Sequence, residues 1–268
     1  RVEVQPSGKS FTVEEGESLL DAAIRQGIGL PYGCRSGVCG SCKGKLLNGS
    51  VSYEGTNPAA LSEEEQAQQI GLFCQARPCS DLTIQAQLVG SGDEITVRKF
   101  PCRVERLEPL CHDVMGVWLK LPATERMQFL AGQYIDILLP DGRFRSFSIA
   151  NAPHDDEFIE LHIRHIDGGD FTGFVFDQLK QKAVLRIEGP HGAFYLREES
   201  KRPIICLAGG TGFAPIKGLI EHAIAEQCTR PIHLYWGARA KRDLYMPELA
   251  QSWADHYPQI HFIPVLSE

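Results

Sequence analysis

The stretch Cys34-Arg-Ser-Gly-Val-Cys39-Gly-Ser-Cys42 places three cysteines within nine residues, and a fourth, Cys74, follows after a long gap. The resulting C-x4-C-x2-C…C spacing is a ligand pattern of [2Fe-2S] clusters, in which four thiolates hold two irons. Glycines at positions 33, 37, 40 and 44 let the backbone turn tightly, so that amide N–H groups can point at the sulfurs. The spacing predicts a metal cluster held by Cys34, Cys39, Cys42 and Cys74.

Zinc and a disulfide loop are the two other structures that such cysteines can form. Zinc is usually held by paired C-x2-C knuckles or by histidine partners, and the first histidine of this chain is His112. The other five cysteines are scattered and odd in number, which is not a disulfide framework. Because five spare thiols are ill suited to an oxidising compartment, we expect a cytoplasmic protein.

Length and composition limit the classes of protein that the chain can belong to. Its 268 residues predict two or three domains, and 43% hydrophobic with 23% charged residues is ordinary for a globular protein. A net charge of −7 argues against a nucleic-acid binder. No apolar run approaches the roughly 20 residues of a membrane-spanning helix. The chain begins at Arg1 without a methionine, which we interpret as processing or as a fragment.

Residues 1 to 90 combine short alternating strands with one helix and the cysteine loop. Apolar and polar residues alternate over residues 1–13 around the turn Pro6-Ser-Gly8, which predicts a hairpin. Ser18 is a typical N-cap and Gly27 a typical stop for a helix between them. The other predicted elements are a strand over residues 43–47, a short helix after Ser62 and a strand over residues 82–86. This region resembles the plant-type ferredoxins, and the resemblance implies a β-grasp fold.

A second unit follows the predicted linker Gly90-Ser-Gly92-Asp93. It occupies residues 97–198, where turn residues such as Pro140-Asp-Gly142 separate short runs of strand character. The runs cover residues 100–107, 114–121, 134–139, 146–150, 158–165 and 184–188, with one helical pattern over residues 171–179. Several short strands with regular turns predict an antiparallel β-barrel.

The pattern changes over residues 201–268. The continuous apolar run Pro203-Ile-Ile-Cys-Leu-Ala208 suits a buried parallel strand. A helix over about 214–227, a strand over 232–236, a helix over about 247–255 and a strand over 260–265 follow. This β-α-β-α-β order predicts half of a doubly wound nucleotide-binding domain, and we expect a C-terminal segment to be missing. The predicted fold class is therefore a multidomain chain with α+β and α/β parts.

The segment Arg145-Ser-Phe-Ser148 combines three chemistries at the start of a predicted barrel strand. An arginine can pair with a phosphate, an aromatic side chain can cover a flat ring, and a serine hydroxyl can hydrogen-bond a ring nitrogen. A solvated strand edge explains these four residues equally well when they are taken alone.

The order of the three predicted domains, together with this segment, resembles the ferredoxin–NADP reductase superfamily. In that superfamily an R-x-[YF]-[ST] strand binds the flavin. The resemblance implies that Arg145 holds a flavin phosphate, that Phe147 packs on the isoalloxazine, and that Ser148 lies near its N5 and acts in catalysis. It also implies a helix N-terminus for the flavin pyrophosphate, and Gly189-Pro-His-Gly192-Ala-Phe194 matches a further turn of the family. The implied flavin-binding residues are Arg145, Ser146, Phe147, Ser148, His162, Ile163, Arg164, Gly168, Gly169, Phe171 and Thr172. For His162, a plain strand residue is the alternative.

The segment Gly209-Gly-Thr-Gly212-Phe-Ala-Pro215 corresponds to the pyridine-nucleotide turn of the same superfamily. Its glycines permit close approach of a phosphate to a helix N-terminus, although a tight turn without ligand is the alternative. The implied nucleotide-binding residues are Gly210, Thr211, Gly212, Pro215, Trp236 and Arg239. Arg239, Lys241 and Arg242 could bind the 2′-phosphate of NADPH, whereas the order G-A-R…D-L-Y resembles reductases that use NADH, which we expect here.

The whole chain resembles reductases with an N-terminal ferredoxin domain, including those of oxygenases and of CDP-6-deoxy-hexulose biosynthesis. The resemblance implies that electrons pass from NADH through FAD, rather than FMN, to a [2Fe-2S] cluster. The expected acceptor is an oxygenase, monooxygenase or dehydratase component, and the expected oligomeric state is a monomer. A stand-alone flavin or quinone reductase and a redox-sensing module of low turnover are the alternatives.

Overall fold

The computed structural model describes residues 1–55, 58–86, 88 and 95–268, which form two compact units. The first unit contains residues 1–97 together with 191–194, and the second contains residues 98–190 and 195–268. The predicted linker Gly90-Ser-Gly92-Asp93 lies outside the described residues. Within the described part of the chain, no helix is both long enough and apolar enough to cross a membrane.

The first unit is built on a mixed five-stranded sheet. Its elements are β1 (Val2–Gln5), β2 (Lys9–Phe11), α1 (Leu19–Arg25), β3 (Lys43–Asn48), β4 (Val51–Ser52), α2 (Glu63–Ala67), β5 (Ile70–Leu72), β6 (Arg77–Pro78) and β7 (Leu82–Gln85). The sheet order is β2-β1-β7-β3-β5, in which β1 pairs with β7 in parallel and β3 pairs antiparallel with β7 and β5. The predicted hairpin, helices and end strand are confirmed, whereas β4, β5 and β6 are only two or three residues long and carry no readable alternation.

The helix starts of the first unit follow from their capping residues. The Ser18 hydroxyl accepts a hydrogen bond from the Asp21 N–H at the start of α1. Before α2, Ser62 and Glu65 form a reciprocal capping box. Such caps satisfy N–H groups that the helix itself leaves unpaired, and this is why each helix begins where it does.

The second unit begins with a six-stranded sheet. Its elements are β8 (Arg98–Pro109), β9 (Val114–Lys120), β10 (Tyr134–Leu138), β11 (Phe144–Ser148), β12 (Ile159–Arg164), α3 (Asp170–Asp177) and β13 (Val184–His191). The sheet order is β11-β10-β13-β8-β9-β12. An isolated antiparallel bridge between Ile149 and Leu161 joins its two edge strands. All six predicted strands are present, but β11 begins at Phe144 and ends at Ser148, so it lies two residues earlier than predicted.

The rest of the second unit is a parallel sheet with helices on one face. Its elements are β14 (Ile204–Gly209), α4 (Phe213–Ala225), β15 (Ile232–Ala238), α5 (Pro247–His256) and β16 (Ile260–Leu266). Strands β14, β15 and β16 pair in parallel in that order. One face of the sheet packs with α4 and α5 around the fully buried Trp236. The other face exposes Ile205 and Leu207 by 66% and 74%.

The backbone at Gly44 leaves no room for a side chain, because an added Cβ would lie 2.3 Å from the Phe73 ring and 2.9 Å from the Gln85 carbonyl oxygen. We therefore expect Gly44→Ala to reduce the free energy of unfolding of the first unit by about 1–3 kcal/mol. Thermal unfolding followed by circular dichroism measures the loss. In the same sheet, Gly71→Ala is the control, since its nearest contacts would be an ordinary 3.4 Å. Equal loss in both variants would contradict the prediction.

Candidate functional site

The four cysteines of the predicted cluster occur in the structure as two thiol pairs. The amide N–H groups of Val38 and Cys39 donate to the Cys34 sulfur at 3.4 and 3.3 Å, and the Cys34 N–H donates to the Cys39 sulfur at 3.4 Å. In the second pair, the Cys74 N–H donates to the Cys42 sulfur at 3.4 Å, and the two thiols hydrogen-bond to each other. Two adjacent pairs of sulfurs supplied with backbone donors fit the four-thiolate requirement of a two-iron cluster.

Hydrogen bonds in and around the loop favour the thiolate form of Cys34 and Cys74. Burial raises the pKa of Cys34, but hydrogen bonds from Ser36 and from the backbone N–H groups of Cys39 and Val38 outweigh it and bring that pKa down to about 6. The hydrogen bond between the two thiols lowers the pKa of Cys74 and raises that of Cys42. In this pair Cys74 therefore loses its proton first, and Cys42 keeps its own. The deprotonated form is the form that binds iron.

The glycines of the loop keep side chains away from the sulfurs. A Cβ at Gly33 would lie 3.1 Å from the Cys39 sulfur. Gly37 and Gly40 have φ values of 78° and 74°, which residues with a side chain rarely adopt. The loop therefore depends on glycine both for its turns and for the space beside the cluster ligands.

A cleft of about 460 Å³ in the second unit brings most of the predicted flavin and nucleotide residues together. Strand β11, strand β12, the first turn of α3 and the turn before α4 contribute its walls. Eleven predicted residues line it: Arg145, Ser146, Phe147, Ser148, His162, Arg164, Gly169, Phe171, Thr172, Thr211 and Gly212. Ile166, Asp170 and Ala214 line it as well. The predicted flavin motif and the predicted nucleotide motif therefore both line this cleft.

The first turn of α3 has the geometry of an anion site. Its N-cap is Gly169, and no side chain of the described residues caps it. A Cβ at Gly169 would lie 2.7 Å from the Thr172 Oγ1 and 3.0 Å from the Ile166 carbonyl oxygen, so only glycine fits. The Thr172 hydroxyl in turn accepts from the Ile166 N–H at 3.1 Å and fixes the turn. Unpaired N–H groups at a helix start, next to Arg145 and Arg164 on the cleft wall, suit a pyrophosphate.

Arg164 lies between this cleft and a second cleft of about 560 Å³. Its Nη1 donates to Asp113 at 2.5 Å, whereas its buried Nη2 has no hydrogen-bond partner among the described residues. A Cβ at Gly210 would lie 3.5 Å from that Nη2, so the glycine turn approaches the guanidinium closely. An unsatisfied buried donor at this place fits a bound phosphate oxygen.

The second cleft lies at the carboxyl ends of β14, β15 and β16, where open α/β sheets bind ligands. Arg239, Gly210 and Thr211 from the predicted set line it. The Trp236 indole N–H donates to the Gly210 carbonyl at 3.0 Å, and its ring stacks on Phe213 with centroids 3.8 Å apart. Trp236 therefore lies in the core and holds the glycine turn through this hydrogen bond. Its side chain lines neither cleft.

Three further predicted residues are absent from the walls of these two clefts. Ile163 is 1% exposed and belongs to the apolar core of the six-stranded sheet. Strand alternation places it opposite its neighbours His162 and Arg164. Gly168 provides a turn with φ of 73° before α3, and Pro215 lies in the first turn of α4.

Sequence reasoning overlooked Asp113, Glu160 and Lys217, which hold the lining residues in place. Asp113 orients Arg164, and Glu160 contacts both His162 and Lys217. The alternation of β12 contained a signal for Glu160, since residues 160, 162 and 164 share one face of the strand. No sequence pattern connects Asp113 or Lys217 with residues so distant in the chain.

We expect Arg164→Gln to weaken FAD binding to the apoprotein by about tenfold, because one charge-assisted hydrogen bond to phosphate is worth about 1.4 kcal/mol or more. Quenching of flavin fluorescence measures the dissociation constant. Arg103→Gln is the control, since Arg103 is half exposed, pairs with Glu105 on the surface and lines neither cleft. The same affinity in wild type and Arg164→Gln would refute this role of the guanidinium.

Three family models match successive parts of the chain. The 2Fe-2S iron-sulfur cluster binding domain matches residues 2–79, the oxidoreductase FAD-binding domain matches residues 101–195, and the oxidoreductase NAD-binding domain matches residues 206–268. The first covers the thiol pairs, the second covers strands β11 and β12, and the third covers the glycine turn.

Relatives of known name match over nearly the whole chain. The CDP-6-deoxy-L-threo-D-glycero-4-hexulose-3-dehydrase reductase of Yersinia pestis is 41% identical over 267 residues, which cover 99% of this chain and 79% of the relative. Terephthalate 1,2-dioxygenase reductase component 1 of Comamonas sp. is 39% identical, with 100% and 79% covered. The crystal structure of the Amycolatopsis cytochrome P450 reductase GcoB matches with a TM-score of 0.81 and 34% identity, covering 99% of this chain and 80% of that one. The chain therefore belongs to the family of iron–sulfur flavoprotein reductases, oxidoreductases that combine a [2Fe-2S] cluster-binding domain with an FAD-binding and an NAD-binding domain.

Proposed function

We propose that the chain takes a hydride from NADH at an FAD held in the 460 Å³ cleft and delivers single electrons through its [2Fe-2S] cluster to a protein acceptor. One observation carries this proposal: the strand Arg145–Ser148 and the turn Thr211–Gly212 line the same cleft. A flavin on that strand and a nicotinamide on that turn would share one space. When bound, FAD would accept two electrons together and release them one at a time, and the cluster would carry single electrons.

The chain's own residues bind and orient these groups. Arg145, Arg164 and the first turn of α3 would hold the flavin pyrophosphate, and Phe147 would pack on the isoalloxazine ring. The Phe147 ring is itself supported by Phe171, with centroids 5.7 Å apart. We propose that the Ser148 hydroxyl hydrogen-bonds the flavin N5. Hydride transfer needs alignment rather than a general acid or base, so this set of binding groups is sufficient.

Finer features of the fold support the assignment of each domain. We propose that residues 1–90 form a β-grasp domain, since a mixed sheet with one helix encloses the cysteine loop. Residues 97–198 would form a barrel, because the Ile149–Leu161 bridge joins the edge strands of the sheet. Residues 201–268 would belong to a doubly wound domain, since the apolar outer face of β14 is typical of a sheet that is covered on both sides.

The acceptor is proposed from the relatives, which are named as reductases of a CDP-hexulose dehydrase and of a dioxygenase. We propose that the acceptor of this chain is likewise an oxygenase, monooxygenase or dehydratase component. The monomeric state and the cytoplasmic location stay predictions.

The choice of NADH is supported by the surroundings of Arg239. Its guanidinium donates to the Glu268 carboxylate from Nε at 3.0 Å and from Nη2 at 2.7 Å. An arginine occupied by a carboxylate is a poor ligand for a 2′-phosphate, and the carboxylate itself repels that phosphate. NADPH is therefore the less favoured donor in this proposal.

An anaerobic titration of the purified protein with NADH tests the function. We expect bleaching of flavin absorbance together with the electron paramagnetic resonance signal of a reduced [2Fe-2S] cluster. Cys39→Ser is expected to abolish the cluster signal and reduction of the acceptor while flavin bleaching persists. If the wild-type flavin bleached and the cluster stayed oxidised, a stand-alone flavin or quinone reductase would replace this proposal. Absence of steady turnover with artificial acceptors would favour a redox-sensing module.

Glu268→Gln tests the nucleotide preference. Because the Arg239–Glu268 pair is exposed and screened by solvent, its effect is small, and we expect kcat/KM with NADPH to rise up to about fivefold relative to NADH. The control is Glu105→Gln, which removes a carboxylate from another exposed arginine pair outside both clefts. A ratio that is unchanged in Glu268→Gln would contradict the role assigned to this pair.

A further inference from the structure

A chain of buried polar groups lies behind the wall of the flavin cleft. We refer to Tyr245, His162, Glu160 and Lys217 as the buried polar chain. The Tyr245 hydroxyl lies 2.9 Å from His162 Nδ1, and His162 Nε2 lies 2.9 Å from Glu160 Oε1. Lys217 Nζ donates to Glu160 Oε2, also at 2.9 Å. All four side chains are buried, and burying such groups is costly unless every partner is present.

The contacts determine where the protons lie. Burial raises the pKa of Glu160, but the hydrogen bond from His162 and the charge of Lys217 outweigh it and lower that pKa to about 2. Glu160 is therefore a carboxylate that can only accept, so His162 Nε2 carries a proton. Burial lowers the pKa of His162 and raises that of Tyr245, so the ring is neutral and its Nδ1 accepts from the tyrosine hydroxyl.

The buried polar chain also connects α4 to the backbone that follows the flavin strand. Lys217 lies on α4 and contacts the Ala150 carbonyl oxygen at 3.4 Å. At the next position, a Cβ on Gly218 would lie 2.7 Å from the Asn151 carbonyl oxygen and 3.2 Å from that of Ala150. Helix α4, which begins at the nucleotide turn, therefore packs against Ala150 and Asn151, which follow Ser148 at the end of the flavin strand.

We propose that Lys217 and Glu160 are positioning residues for hydride transfer, which together hold α4 against the end of the flavin strand and hold His162 as a neutral wall of the cleft. This inference rests on the proposed function. Neither residue lines either cleft, so both act through the backbone of residues 148–151 and through the His162 ring.

Hydride transfer is sensitive to such positioning, since a misplacement of about 1 Å can cost about 100-fold in rate. A neutral His162 also adds no positive charge to the wall of the cleft in which a flavin would bind. Both ring nitrogens are occupied, so the imidazole presents no free donor or acceptor to the cleft. The wall at this point is therefore fixed in shape and in charge.

The charged and titratable groups around His162 come from several elements. Glu160 and Arg164 lie on its own strand, Lys217 and Glu221 lie on α4, and Tyr245 lies after β15. Lys217 donates to Glu221 as well, at 3.0 Å. The charge of Lys217 lowers the pKa of His162, so its removal is expected to raise that pKa and to let the ring take up a proton.

Two variants distinguish the effect of a charge on His162 from the effect of losing the contact between α4 and Ala150. Lys217→Met removes the cation alone, and His162 is expected to become protonated beside Glu160. Glu160→Gln/Lys217→Met removes the Glu160–Lys217 ion pair and is expected to leave His162 neutral while the tie to Ala150 is lost. The partly exposed Glu221 loses its lysine partner in both variants, so this change does not distinguish them. Lys120→Met is the control, because Lys120 is a partly exposed lysine whose ammonium pairs with Glu157 on the surface and lies over the Phe158 ring, and it lines neither cleft.

The first measurement uses apoprotein with ¹⁵N-labelled histidine, and the signal of His162 is identified by its loss in His162→Asn. Long-range ¹H–¹⁵N spectra are expected to show a neutral Nε2–H ring in the wild type across pH 6–8. A protonated ring or an Nδ1–H ring in the wild type would overturn the proposal, whether or not any variant folds.

The second measurement is anaerobic stopped-flow reduction of the FAD-loaded protein by NADH. The double variant is expected to bind FAD and NADH within about threefold of wild type but to have a limiting reduction rate that is about 10- to 100-fold lower. A folded double variant with the wild-type limiting rate would overturn the positioning role. If wild-type flavin itself were not reduced by NADH, the proposed function would fail, while the histidine spectra would still decide the structure of the buried polar chain.

Discussion

The contact between α4 and the backbone after β11 is the constraint on which the second unit depends. Gly218 allows this contact, because any side chain there would meet the Asn151 carbonyl oxygen. Lys217, one residue earlier, places a charge in the same interface, where the carboxylates of Glu160 and Glu221 pair with it. The contact brings helix α4, which begins just after the glycine turn, against the backbone that follows β11, and both β11 and the glycine turn line the 460 Å³ cleft.

Both cofactor regions solve the same physical problem, which is how to stabilise negative charge away from water. The cluster loop points backbone N–H groups at the Cys34 and Cys39 sulfurs, with glycines keeping the space open. The cleft proposed for the flavin would use the first turn of α3 and the partly unsatisfied guanidinium of Arg164. In each case the donors are fixed by the fold before a ligand arrives, so little ordering is needed on binding.

Local patterns in the sequence were enough to predict the elements and most of the cleft. The strand Arg145–Ser148, the turn before α4 and the helix start at Gly169 each occur within a few residues, so their chemistry can be read without the fold. The helix over residues 213–225 and the strands around it were predicted within about two residues, because a glycine or a proline directly precedes the start of the helix and of the strands β14 and β15. The side chain of Ile163 lines neither cleft, because strand alternation separates it from His162 and Arg164, and its part in binding the cofactor stays a prediction.

The remaining site residues depend on distances along the chain that no local pattern records. Lys217 meets Glu160 across 57 positions, and Tyr245 meets His162 across 83. In the sequence, Lys217 is an ordinary lysine on an apolar helix, and Tyr245 ends the D-L-Y motif, which says nothing of a contact with His162. Only the close approach at Gly218 makes the lysine a buried charge, and only the bend after β15 brings the tyrosine hydroxyl to the histidine. A residue that holds a binding group in place is therefore harder to find from sequence than the binding group itself, because its role comes from the assembled core.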